Sequence, residues 1–240
     1  MTAVVISQPM LFPWPGFFEQ LMLADSFLFL DDVQFSKGSF TNRVQIKSAG
    51  KLKWLTIPLK DSGTFKNINQ LEPANEDWRA SHMQQLAQAY ANAPFAADAI
   101  ALAEIVYAQQ TICDVLTASI EEPAKYLNIG QQQKRLKTSG IGIPGSSSTR
   151  VLDLVLHCHG TRYLTGHGAA NYLDHESFEK GGIAVEYMDY SKAIWPQSGS
   201  DFTPYLSVLD LIANTGRYAV NYLHPATRDW RSHLSKAQLK

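Results

Sequence analysis

A three-layer α/β fold on a mostly parallel sheet, with an antiparallel hairpin at one edge and a central helical layer, is what this 240-residue sequence predicts. Three observations carry that expectation. Strand-like and helix-like segments alternate at both ends of the chain, the middle is helical in pattern, and each proposed strand runs out into small or polar residues. A content of 45% hydrophobic and 11% aromatic residues supplies the core such layers require.

Ala3–Ser7 (AVVIS) reads as a short strand, 16–24 (GFFEQLMLA) as a helix entered through Pro13, Pro15 and Gly16, and 26–30 (SFLFL) as a second strand. A right-handed crossover makes these two strands parallel, with their carboxyl ends on one edge. Segments 43–47 (RVQIK) and 53–59 (KWLTIPL) flank an Ala-Gly turn and read as a hairpin. Helical patterns then cover 75–93, capped by Asn75, then 96–108, then 111–130 with a break at Pro123. No Gly/Ser/Pro linker divides the chain, so residues 1–240 are expected to be a single α/β domain with 75–128 as a helical layer or lid. Alternation resumes with a strand at 133–139, a helix at 148–160 capped by Ser147 or Ser148, and strands at 161–166 and 183–190. The layout is that of an open, Rossmann-like sheet.

In such sheets ligands bind beyond the carboxyl ends of the strands. The residues found there are Gln8, then Asp31 and Asp32, then Thr138, Ser139 and Gly140, then Thr165, Gly166, His167 and Gly168, then Asp189. Asp31 and Asp32 follow the most apolar strand, and successive residues of an extended chain point to opposite faces. One of them is expected to enter a site as general base while the other caps or turns. Gln34, Lys37, Asn42, Arg43 and Lys47 follow closely, and the arginine fork with two lysines suits a phosphate or carboxylate. Asn42 and Arg43 serve equally as the start of the hairpin. His167 lies between two glycines, where backbone approaches a ligand closely, or where a plain turn forms.

A formal charge of −1, from 21 Lys and Arg against 22 Asp and Glu, gives no global attraction to nucleic acid, and none is expected as a partner. No window approaches a membrane span and the N-terminus lacks a basic leader, so a cytoplasmic protein is expected. Cys113 and Cys158 form no metal-type pair and lie in apolar helical patterns, as buried free thiols do. His157 and His159, two apart, face different sides of a helix, so no metal is expected, and no motif identifies a cofactor. Dinucleotide, P-loop and hydrolase-elbow signatures are missing. The serines of IPGSSSTR, before Arg150, fit either an anion at a helix start or simple capping.

The stretches ISQPMLFPWPGFF, FLFLDDVQFSKGSFTNRVQIK, KWLTIPL, YLTGHGAANYLD, GIAVEYMDY and DFTPYLSVLDLIANTG together resemble the WbqC-like family, in matching order over nearly the whole chain. The resemblance implies a bacterial cytoplasmic protein of surface-polysaccharide (O-antigen) biosynthesis, with an acyl or aminoacyl (glycyl) transferase role. Its pattern falls on Gln8, Pro9, Pro13, Trp14, Gly16, Asp31, Asp32, Gln34, Phe35, Lys37, Asn42, Arg43, Gly166, Tyr172, Gln197 and Asp210. Ser7 stands where the family has histidine and Phe12 where it has leucine, which moves any general base to another group, such as Asp31 or Asp32. Two functions therefore compete. One is a transferase with an anionic, phosphate- or carboxylate-bearing small-molecule substrate. The other is a non-catalytic binder of a nucleotide-sugar or carrier-linked intermediate, walled by Trp14, Trp54, Tyr172 and Trp195. A layout loosely similar to nucleotidyltransferases, without their paired HxGH signature, is a third alternative.

Overall fold

The computed structural model describes residues 1–190 and 192–237. β1 (Ala3–Ser7), α1 (Pro15–Leu23) and β2 (Ser26–Phe29) form the expected β-α-β unit, and the two strands are parallel with Val5 opposite Phe27. Pro15 starts α1 because its missing N–H would have had no partner in a first turn. β3 (Arg43–Ser48) and β4 (Lys51–Thr56) form the hairpin, whose two turn residues, Ala49 and Gly50, both adopt positive φ.

Three helices follow: α2 (Trp78–Tyr90), α3 (Ala96–Tyr107) and α4 (Ile112–Tyr126). α2 starts after Asp77, not at Asn75. The chain before it is held extended by a bridge between Leu59 and Pro73 and by the Ala74 N–H donating to the Pro58 carbonyl. α4 runs on through Pro123, where the sequence suggested a break. Burial of Ile120 and Ala124 on either side holds the last turn although Pro123 donates no hydrogen bond.

β5 (Lys134–Lys137) leads into a single helical turn, α5 (Thr138–Ile141), so the strand stops two residues short of the expected 139. α6 (Ser147–His157) starts early enough that the expected caps Ser147 and Ser148 lie inside its first turn; Ser146 precedes it with no side-chain cap, and the Ser148 hydroxyl accepts the N–H of Asp174 at 2.8 Å. Then come β6 (Arg162–Thr165), α7 (His175–Lys180), β7 (Ala184–Met188), α8 (Val208–Thr215), β8 (Thr227–Asp229) and α9 (Trp230–Ala237).

The main sheet has the order β5-β2-β1-β6-β7-β8, parallel except for β8, which runs antiparallel to β7. The fold class is therefore the mixed α/β one read from the sequence. The hairpin, however, makes a two-stranded sheet of its own, since Val44 and Ile46 turn its inner face into the core beside α2. The antiparallel edge strand is β8. Alternate side chains of the main sheet feed two cores, which is the three-layer arrangement. Ala3, Val5, Phe27 and Phe29 meet α1 to α4, while Val4, Ile6, Leu28 and Tyr163 meet α6 and α7. Cys113 and Cys158 are buried and unpaired, and burial pushes the Cys113 thiol up to about 11. No helix among the described residues is long and apolar enough to cross a membrane.

Candidate functional site

A cavity of about 650 Å³ opens beyond the carboxyl ends of β6 and β7, on the edge where the strand order predicts ligands to bind. β6 ends at Thr165, and the chain turns at Gly166 into a short 3-10 turn, His167–Asn171, that presents His167 to the cavity. Gly166 lies close to Tyr190: a Cβ there would stand 3.4 Å from the Tyr190 hydroxyl, in van der Waals contact. β7 ends at Met188, which delivers Asp189 and Tyr190. Trp14 arrives from the loop before α1, Tyr205 from the segment before α8, and Arg228 and His233 from β8 and α9.

Three aromatic rings form one wall. Trp14 meets Tyr190 edge-on at 4.5 Å and Tyr205 at 5.5 Å. Its indole lies over the start of α1, and a Cβ on Gly16 would fall 2.0 Å from it. Burial pushes the Tyr190 phenol far above its ordinary range, so it stays a hydrogen-bond donor.

The charged wall is net positive. Arg228 pairs with Asp189, and Lys192 lies 5.3 Å from the Tyr205 ring, so two cations face one carboxylate. His167 Nε2 lies 3.0 Å from the Met188 carbonyl. A carbonyl only accepts, so this nitrogen carries the hydrogen and Nδ1 of the neutral ring holds the lone pair. The His233 ring stands 5.0 Å from it. Burial, then His167 and Arg228, lower the His233 pKa, so His233 is neutral at pH 7.

Of the residues singled out in the sequence, His167, Trp14 and Asp189 line this cavity, with Gly166 beside it and Thr165 buried. Gly168 lies in the same 3-10 turn. Asp31 and Asp32 do not line it. Asp31 is buried and accepts from the Ser139 N–H at 2.9 Å and the Ser139 hydroxyl at 2.6 Å, tying β2 to α5. Asp32 accepts from Thr138 Oγ1 at 2.7 Å and Arg150 Nη2 at 2.6 Å. Burial raises the Asp32 pKa, yet these donors outweigh it and hold the carboxyl below its ordinary value.

Nor does the cavity gather the cations of the opening stretch. Arg43 donates to the Ser39 and Gly38 carbonyls and lies 4.5 Å over Trp54, fixing the loop before the hairpin. Lys47 is buried and donates to the Asp201 carbonyl, and Asn42 donates to the Ile57 carbonyl at 2.9 Å. Gln8 accepts from Thr41 Oγ1, Gln34 bridges Asn67 through backbone, and Lys37 is exposed. Tyr172 reaches Tyr163, and Gln197 clasps Thr203 through both ends of its amide. Among the other expected stacking walls, Trp54 lies on the hairpin and Trp195 is buried.

The sequence reading passed over Tyr190, Lys192, Tyr205, Arg228 and His233. Tyr190 was within reach, since it follows Asp189 at the end of a proposed strand. Arg228 and His233 carried no such signal, because a three-residue strand leaves no alternation to read.

A family model described as the WbqC-like protein family matches residues 8–222. The chain is also similar to "Uncharacterized protein Rv1507c" of Mycobacterium tuberculosis (strain ATCC 25618 / H37Rv). The two are 31% identical over 233 residues, a span covering 93% of this chain and 98% of that one. No solved structure matches.

Proposed function

The chain belongs to the WbqC-like protein family, and on that premise we propose that it transfers an acyl or aminoacyl group, such as glycyl, to a nucleotide-linked sugar in surface-polysaccharide assembly. The observation that supports this reading best is the joint aromatic and cationic lining of the cavity at the strand ends. Trp14 and Tyr205 suit the flat face of a base, and Lys192 and Arg228 suit the phosphates. His167 Nδ1 takes the proton from an attacking amine or hydroxyl as its lone pair forms the new bond to the acyl carbon. The bond to the donor's leaving group breaks, and the proton passes from His167 to that group. The base is then His167 rather than Asp31 or Asp32, whose carboxylates already hold protein donors.

A thermal-shift series with UDP-, GDP- and dTDP-linked sugars, the free nucleotides and inorganic phosphate tests the reading. A nucleotide-sugar at about 100 times its Kd adds roughly 2.7 kcal/mol of apparent stability. Arg228→Ala should weaken that ligand about tenfold, from the loss of a charged hydrogen bond. His167→Asn should keep the binding and abolish transfer. A flat response to every nucleotide would refute the proposal. Binding without transfer from any thioester or aminoacyl donor would favour the non-catalytic nucleotide-sugar binder.

A further inference from the structure

A second cavity, of about 390 Å³, lies between the end of α2, the turn of the hairpin and α8, and shares no lining residue with the first. Its lining is rich in side-chain amides: Gln88, Asn92, Gln197 and Asn214. Two buried polar groups also reach it with hydrogen-bonding capacity unspent. The Tyr90 hydroxyl, on a side chain 1% exposed, has the Ser207 side chain beside it but no partner in good hydrogen-bonding geometry. Asp210 is 2% exposed. Its Oδ1 accepts from Trp195 Nε1 at 2.9 Å and weakly from Asn214 at 3.4 Å, while no group among the described residues donates to Oδ2. A buried hydroxyl without a good partner costs stability, and a carboxylate oxygen open to the same cavity offers an acceptor beside it.

The charge balance narrows the ligand. Lys47 is buried near Asp210 and draws its carboxyl toward ionisation, although burial dominates and raises the pKa to about 6. The carboxylate thus already has a counter-charge inside the protein, and an ammonium ligand would meet a lysine as well as an aspartate. Gln197 is already spent on Thr203, and Asn214 donates to Asp210. The groups left for a ligand are Tyr90, Asp210 Oδ2 and the exposed amides Gln88 and Asn92, and together they suit a neutral partner that both donates and accepts.

From these groups we infer that this cavity binds a neutral polyhydroxylated ligand through neighbouring hydroxyls, one donating to Asp210 Oδ2 and accepting from Tyr90, with amides at the rim. The site stands on its own chemistry and does not depend on the proposed transfer.

Saturation-transfer NMR on the full chain tests it, with methyl glucoside and N-acetylglucosamine as sugar probes, myo-inositol as the cyclitol probe and ethanolamine as the amine probe. At least one sugar or the cyclitol should receive saturation, and the two arms separate a glycan source from a free polyol. Tyr90→Phe removes a single oxygen and should weaken that probe about fivefold to tenfold, on the scale of one hydrogen bond, with the melting temperature kept or raised. Asn92→Ala, at an exposed position, should weaken it in the same direction. His167→Asn should leave it unchanged, which separates failure here from failure of the transfer reading. Silence from all the polyols, as for a cavity that holds only water, would overturn the inference. So would an unaltered affinity in Tyr90→Phe, or a preference for ethanolamine.

Discussion

Asp32 and Arg150 meet across 118 residues of chain, and what they hold together is two layers of the molecule. Their side chains are 23% and 8% exposed, so removing the guanidinium strands a carboxylate that water only partly reaches. Arg150→Ala should cost about 2 kcal/mol in a urea melt, less than a fully buried pair because Asp32 keeps some solvent. A loss below about 0.5 kcal/mol would mark the pair as an ordinary surface one. The sign of the pH effect follows from the depressed carboxyl. Its stabilisation is present above the ordinary value of 3.8 and is lost as pH falls through the lower folded value. The gap between the parent and Asp32→Asn should therefore be widest at pH 7 and close in acid. The sequence made Asp31 and Asp32 conspicuous, but adjacent carboxylates on a strand give no sign of which distant donors they will meet.

Trp14 and α1 show how one element shapes the cavity wall. Gly16 sits in the first turn of α1, and the indole occupies the volume that a side chain at 16 would take. Gly16→Ala should displace the ring, alter tryptophan fluorescence and weaken any ligand of the first cavity, although alanine favours helix by about 1 kcal/mol over glycine. An unchanged emission spectrum and affinity would show that the ring is not held by that contact. The β-α-β opening, the hairpin and the three long helices were legible because hydrophobic period, prolines and turn residues are local signals. The hairpin's separation from the main sheet was not, since pairing between strands is decided by which face each buries. β8 was invisible for want of length.

At the scale of the whole molecule, two buried groups set opposing pH responses. His82 donates from Nε2 to the Thr56 carbonyl and accepts from the Tyr107 hydroxyl at Nδ1, and burial lowers its pKa to about 4. The unfolded chain binds its proton more readily, so this histidine makes stability rise with pH from about 4 to the ordinary 6.5. Asp210, raised from 3.8 to about 6, makes stability fall over nearly the same window. Each amounts to about 3 kcal/mol, and the two largely cancel. Asp210→Asn should lift one side of the balance: its stability relative to the parent should grow by about 3 kcal/mol between pH 4 and 7 in denaturant melts. A difference that stays flat with pH would show that Asp210 ionises in the fold as it does in water. The candidate site was legible only as an edge of the sheet, with His167, Asp189 and Trp14 on it, because most of its other members come from segments far apart in the chain. That dispersal has a consequence for the order of synthesis. The ribosome releases β1, β2 and β5 early, and the sheet grows outward from its middle as β6 and β7 follow. Tyr190, Tyr205, Arg228 and His233 come after all of them, so a nascent chain halted at β7 has most of its core, an unpaired strand edge open to other chains, and less than half of its pocket lining.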